Sequence, residues 1–334
     1  MDASDLAVFA AVARAGGITM AAQILNTVQS NVTQRVRLLE DELGVQLFHR
    51  YSRGVTLTSA GSQLLPYAER IGHLVGEARQ AAMNGPIPRG RIVIGAMETA
   101  TAMRLPPILA AYAATYPQVE IEVSAGTTAS LIQAVLAREI EVAFVAGPVG
   151  HPELVTAEVI EEELVLVTAP WFLDLDRMFS ATSADKLKIV MFRSGCAYRT
   201  HLENIFAKRG IVGVRRLDFG TLEGILGCVG AGIGLTLLPR VVVEVAASEG
   251  RVAIHRLPPS EACVPTVLIR HRDLFVSTAL MRFIELARLH LADRRAERQQ
   301  TLPTPFNRAR PVPLPVASTL SNSRTALRRR RSAR

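Results

Sequence analysis

The chain has 334 residues, 49% apolar and 20% charged, a balance that fits a globular protein with a sizeable core. Its apolar runs are broken by Gly, Pro or charge well short of the roughly 20 residues a membrane span needs. Asp2 and Asp5 stand where a signal peptide would be basic, so a cytoplasmic protein without a membrane partner is expected. The net charge of +8 points to nucleic acid only until it is located: residues 296–334 hold nine arginines against the single acid Glu297, and the rest of the chain is neutral.

Residues 1–58 carry three short helical patterns and a hairpin. Ser4 is placed to cap a helix with Leu6, Phe9 and Val12 on one face, ended by Gly16-Gly17. Thr19 is placed to cap a second through Ala21, Ala22 and Leu25, ending near Asn26. A third carries Val32, Val36, Leu39 and Leu43 as an apolar stripe and stops at Gly44. Two helices joined this tightly, the second polar on its outer side, form a helix-turn-helix, and "LFHRYSRGVTLT" supplies a wing.

Residues 59–84 predict one long helix whose Leu64, Ala68, Ile71, Val75, Ala78 and Ala82 make a coiled-coil seam, and hence pairing with a second copy. Pro66 should bend its first turns. "NGPIPRG" follows, with a hinge assigned to 85–90. From 91 to 295 apolar strands alternate with amphipathic helices, which predicts doubly wound α/β layers in two sub-domains with a cleft between them. The tail, 296–334, is rich in Pro and Arg, lacks apolar periodicity and is expected to be disordered.

On the third helix an advance of about 100° per residue puts Ser30, Gln34, Arg37 and Asp41 opposite the apolar stripe. Thr33 stands to one side, Asn31 and Arg35 to the other. Hydrogen-bonding groups thus come first and the acids last, the order needed by a helix whose N-terminal residues meet base edges in the major groove. A solvated face is the plain alternative. The preceding helix, the wing arginines Arg50 and Arg53, and the dimer seam favour DNA.

With "FAAVARAGGITMAAQIL", "QSNVTQRVRLLEDELGVQLFHR" and "GVTLTSAG", residues 1–90 resemble the winged helix-turn-helix and linker helix of LysR-type transcriptional regulators. Residues 91–292 resemble that family's effector domain through "RLPPILAAYAATYPQVEIEVSAGTTASLIQAVLAREIEVAFV", "EEELVLVT" and "LEGILGCVGAGIGLTLLP". The resemblance implies a DNA-binding regulator with a periplasmic-binding-protein-like sensor, assembled as a dimer or homotetramer through the linker helix. Its partners would be operator or promoter DNA, a small inducer and, for control of transcription, RNA polymerase. It places Gln29, Ser30, Asn31, Thr33, Gln34 and Arg35 on or beside the recognition helix, and Arg50 and Arg53 on the wing. Val28 departs from the Ser that many members carry there, so Thr27 or Ser30 is left to cap the helix.

For the effector site, Thr99 and Thr101 open a helix after the first strand of the α/β region, and Thr127 and Thr128 open one after the second. Helix N-termini with hydroxyls suit a small carboxylate, although threonine also caps helices with no ligand in view. Ser194, Gly195 and Arg199 lie where the family's sensors contact ligand, with Arg199 the expected counter-charge.

No cofactor or metal is expected, because the glycines of "GCVGAGIG" end a helix rather than open one and the histidines lack ligand spacing. Cys196 has no resolving partner close in sequence and reads as inert, while Cys228 and Cys263 sit in apolar runs and read as core. Two rival readings remain: a small-molecule-binding protein whose N-terminal domain serves assembly only, and an α/β enzyme, for which no nucleophile, metal cluster or cofactor loop stands out.

Overall fold

The computed structural model describes residues 1–51, 54–172, 187–211 and 213–300, with side chains to Ala292. The wing residue Arg53 and the tail from 301 onward lie outside the described residues.

Helix α1 (Ala3–Ala15) starts at Asp2, whose carboxylate accepts the Asp5 N–H at 2.8 Å within a capping box. Ser4 is therefore not the cap, and its hydroxyl accepts from Arg35 instead. Gly16, in the left-handed region at φ 63°, ends α1. Extended Gly17 leads straight into α2 (Ile18–Ile24), so Thr19 falls inside the first turn and caps nothing. The third helix, α3 (Gln29–Leu43), begins at Val28 with no side-chain cap and ends at left-handed Gly44.

Leu6, Phe9, Val12, Ala21, Ala22, Val32, Val36 and Leu39 form the small core of these helices. Leu43, expected on the same stripe, is 38% exposed, and Glu40 at 3% takes its place. The cause is the wing. Glu40 Oε1 accepts the N–H groups of Leu47 and Phe48 at 2.8 and 3.2 Å, and Oε2 accepts from Arg50 at 3.0 Å. This buried carboxylate, satisfied by three donors, fixes the antiparallel hairpin of β1 (Phe48–Tyr51) and β2 (Gly54–Leu57) to α3.

The long helix α4 (Ser59–Met83) is capped by Thr58, whose hydroxyl accepts the Gly61 N–H at 3.0 Å, and Pro66 lies within it. Its expected seam divides in two. Leu64, Ala68 and Ile71 pack into the N-terminal core beside α1, whereas Val75, Ala78 and Ala82 are exposed. The exposed apolar line is rotated to Tyr67, Leu74, Ala78 and Ala81, all within about 60° of one another around the helix.

Beyond the connection at 84–89 come β3 (Gly90–Met97), α5 (Glu98–Met103), α6 (Leu105–Thr115), β4 (Val119–Gly126), α7 (Thr128–Leu136), β5 (Val142–Ala146) and β6 (Leu154–Thr168). After them follow β7 (Lys188–Phe192), α8 (Ala197–Lys208), β8 (Arg215–Phe219), α9 (Leu222–Gly230), β9 (Thr236–Pro239), α10 (Arg240–Ser248), β10 (Ala253–Arg256), α11 (Pro259–Ala262), β11 (Cys263–His271) and α12 (Thr278–Gln300).

The doubly wound expectation holds for β3 with β4 and β5, and for β7 with β8, which pair in parallel. It fails for β6 and β11, which run antiparallel to each other along their length and shift register between Thr266 and Val267. β6 also takes β9 and β10 at its far end, so it passes from one half of the domain to the other. The first half of β6 alternates buried and wetter residues, as an antiparallel strand with one face near solvent does, and so it lacks the apolar run that marks a parallel strand.

Of the cysteines, Cys196 is buried, Cys228 is intermediate, and Cys263 is exposed rather than core. Cys263 opens β11 at its wet edge, and the Glu161 carboxylate beside it holds its thiol above the usual range. Burial raises the Cys196 thiol likewise.

Helix α4 is tied to the α/β region side chain by side chain. His73 Nδ1 donates to the Ala137 carbonyl at 2.9 Å, and Arg138 donates to both oxygens of Glu77 at 2.8 and 3.1 Å. Thr278 donates through its N–H to Asn84 and through its hydroxyl to the Gly85 carbonyl. In the same groove Glu141 Oε2 accepts the Val93 N–H at 2.8 Å, while Oε1 is buried with no hydrogen-bond partner among the described residues.

Burial raises the Glu141 carboxyl above the ordinary 4.5. Its charged form therefore costs stability, and this cost grows as pH rises from about 4.5 through the raised folded value. Glu141→Gln keeps the acceptor for Val93 and is expected to raise the urea midpoint at pH 7.5. The gain should shrink as pH is lowered toward 4.5, and chemical denaturation at the two pH values checks it.

Candidate DNA-reading face and effector cleft

The outward side of α3 presents Gln29, Ser30, Gln34 and Arg37 around one shallow, open surface that also includes Thr33 and Leu38. Gln29, Ser30, Asn31, Gln34 and Arg37 are exposed, and Thr33 is half-buried with its hydroxyl donating to the Gln29 carbonyl at 2.9 Å. Asn31 donates to Thr27 Oγ1 at 2.9 Å, which orders the turn before the helix but caps no backbone N–H. The first turn of α3 keeps its positive dipole end uncapped by any side chain.

Two of the expected contact arginines are engaged inside the domain. Arg35 turns back to α1, where it donates to Asp5 at 3.1 Å, and Arg50 is held by the buried Glu40. Arg37 makes no ion pair among the described residues. It is the cation left facing outward on α3.

The second site is a cleft of about 470 Å³. Its walls come from the C-terminal ends of β3, β4, β7 and β8: Met97 to Thr99, Ala125 to Thr128 with Ser130, Phe192 to Ser194 with Cys196 and Tyr198, and Phe219 with Gly220. Parallel strands leave such a crevice where connections diverge at their carboxyl ends. Thr127 and Ser130 form a capping box at the start of α7. Phe192 and Phe219 provide apolar wall, so the cleft combines hydroxyls and a helix N-terminus with aromatic surface.

Of the residues expected here, Thr99, Thr127, Thr128 and Ser194 line the cleft. Thr99 is buried at 5%. Thr101 lies a turn deeper and donates to the Met97 carbonyl at 3.0 Å, so it does not line the cleft. Gly195 closes one side. Its carbonyl accepts the Ala129 N–H at 3.2 Å, and at φ 92° a Cβ here would stand 2.7 Å from Thr127 Oγ1, which explains the glycine.

Arg199, the expected counter-charge, does not line the cleft: its side chain is 14% exposed and paired with Glu203 at 3.4 Å and Asp218 at 2.9 Å. The cleft cation is Arg193, which is exposed, lines the wall and makes no ion pair among the described residues. Both arginines lie in "FRSGCAYRTHLE". What separates them is that Arg199 sits within α8, one turn from Glu203, whereas Arg193 precedes the helix at the end of β7.

Residues 3–62 match the family model described as bacterial regulatory helix-turn-helix protein, lysR family, and residues 87–292 match that of the LysR substrate binding domain. The regulator GltR of Bacillus subtilis (strain 168) is 40% identical over 297 residues, covering 89% of this chain and 99% of that protein. The regulator YofA of the same organism is 38% identical, covering 85% and 98%. Among solved structures, full-length CbnR in complex with its target DNA superposes with a TM-score of 0.60 at 25% identity, covering 87% of this chain and 100% of that one. Two family models that together span most of the chain, and relatives of about 40% identity matched along nearly their whole length, agree: the chain belongs to the LysR family of transcriptional regulators.

Proposed function

We propose that this LysR-type regulator reads its operator through Gln29, Ser30, Gln34 and Arg37, and that a small carboxylate in the cleft changes its grip on DNA. The N-terminal half of α3 enters the major groove, and the free N–H groups beside Val28 meet a phosphate that takes the place of the missing cap. Arg35 and Arg50 act by holding α3 against α1 and the wing rather than by contacting bases. The exposed line of Tyr67, Leu74, Ala78 and Ala81 pairs α4 with a second copy, and dimers of this kind assemble further into a tetramer.

In the cleft, Arg193 and the start of α7 meet a carboxylate, with Thr127, Thr128 and Ser194 supplying hydroxyls and the two phenylalanines an apolar contact. The observation that carries this reading is Arg193 itself, a cation unpaired among the described residues at the mouth of a walled cavity. A ligand there acts only through its different affinity for two arrangements of the assembly, and operator grip follows that population shift.

Two measurements test the two ends of this reading. In footprinting of the upstream region, Gln34→Ala with Arg37→Ala should weaken protection by about 10- to 100-fold for each bidentate pairing with a base that the change removes. The same variant should keep its ligand affinity; unchanged protection would favour a protein that uses its N-terminal domain for assembly alone. In a thermal-shift screen over small carboxylates, a compound that raises the unfolding temperature of the wild type should do so far less for Arg193→Ala. An equal shift in both would remove Arg193 from the site.

A further inference from the structure

Helix α7 touches both the cleft and the linker helix, and its two ends are built differently. At the cleft end Thr127 and Ser130 close the capping box, and the Ala129 N–H is held by the Gly195 carbonyl from the opposite half of the domain. At the far end the chain turns through Ala137 into Arg138, which adopts φ 62°. That left-handed position after a helix ordinarily falls to glycine or asparagine, because a Cβ is strained there. Here the Arg138 N–H donates to the Val135 carbonyl at 3.1 Å and the Glu139 N–H to the Ala134 carbonyl at 2.9 Å, a closing turn that glycine would make without strain.

The side chain accounts for the arginine. It is 4% exposed and reaches Glu77 of α4 with two hydrogen bonds and His271 Nδ1 of β11 at 3.3 Å. His271 Nδ1 also accepts the Asp273 N–H at 3.1 Å, so this nitrogen serves as an acceptor. One turn earlier on α4, His73 donates to the Ala137 carbonyl. Consecutive residues at the end of α7 therefore hold α4 at 73 and 77, just beyond the segment that buries Leu64, Ala68 and Ile71 in the DNA-binding core.

We propose that Arg138 is the positioning residue through which α7 sets the linker helix, so that a change at the cleft end of α7 is delivered to the DNA-binding core. The inference rests on the cleft as the effector site. A helix of nine residues moves as a rigid rod of about 13 Å. A ligand that competes with the Gly195 carbonyl for the Ala129 N–H, or that draws in Thr127, shifts this rod lengthwise or in tilt. Arg138, gripped by α4 and β11 together, converts that shift into a change in the angle of α4. The direction of the long side chain matters more than its charge alone, because one guanidinium spans two elements.

The test is hydrogen exchange in residues 72–82 of the full chain, with neither DNA nor ligand present. Thr127→Ala removes the cap at the cleft end of α7, an end remote from the residues of α7 that hold α4. In the otherwise wild-type chain it is expected to speed exchange at 72–82 by about threefold, within the usual effect of losing an N-cap.

Arg138→Gly cuts the connection while relieving the left-handed backbone. It should raise exchange at 72–82 by itself and make Thr127→Ala silent there. Arg138→Lys, which keeps the charge but cannot span Glu77 and His271, should fall between the two. No effect of Thr127→Ala in the wild-type chain, or equal effects in both backgrounds, overturns the proposal. Because no operator or ligand enters the measurement, a failed operator search leaves this test standing, and failure here leaves DNA binding by α3 intact.

Discussion

Arg104 and Glu162 face each other with two hydrogen bonds of 2.8 and 2.7 Å, at 5% and 4% exposure, where β6 crosses from one half of the sensor to the other. Two charges taken out of water cost several kcal/mol each unless their geometry offsets it, so this pair fixes position rather than adding much net stability. Arg104 joins α5 to α6, and Glu162 lies opposite Val264, close to the register shift of β11. Tyr198 comes to the same place from the second half, around one small cavity with Thr99 and Thr266, and burial holds its phenol well above the usual range. The cleft lies directly above this buried network, sharing Thr99 and Tyr198 with it. The walls of the cleft are therefore referenced to one charged pair.

The N-terminal domain solves a smaller problem by the same means. Glu40 replaces an apolar residue on the α3 stripe and anchors the wing through two backbone N–H groups and Arg50. Across the molecule, arginines are engaged internally: Arg35 on α1, Arg50 on Glu40, Arg104 on Glu162, Arg138 on Glu77 and Arg199 on Asp218. In a body that is neutral overall, where an arginine without an ion pair among the described residues stands says more than the total charge, and two of them stand at the two candidate sites. Arg37 faces out from the reading helix and Arg193 into the cleft.

Much of this is legible in the chain, and what is not shares a cause. Helix α3, the hairpin, α4 and the alternation of β3 to β5 with their helices follow from local periodicity and turn residues, which depend on near neighbours. Leu43 and Glu40 exchange roles because a backbone seven residues away needs an acceptor, a contact no stripe records. The seam of α4 looks like one surface in sequence, yet α1 covers its first half and rotates the exposed line. The crossing of β6 and β11 escapes a sequence reading because their pairing is long-range and their alternation resembles a wet edge. Sequence places Arg199 and Arg193 alike near the cleft, while the choice between them rests on acids at 203 and 218. Thr101 shares its spacing with Thr99, yet its hydroxyl is spent on the Met97 carbonyl of its own helix.

Taken together, the paired charges hold two rigid halves in register, α7 spans from their cleft to the linker helix, and α4 carries the DNA-binding core. The direct test of this account is operator affinity, followed by fluorescence anisotropy, across a titration of a small carboxylate whose thermal shift depends on Arg193. Filling the cleft should change the operator Kd by about 5- to 150-fold, the usual range of coupling between two sites. A cleft shown to be saturated, with operator affinity and footprint both unchanged, would contradict it.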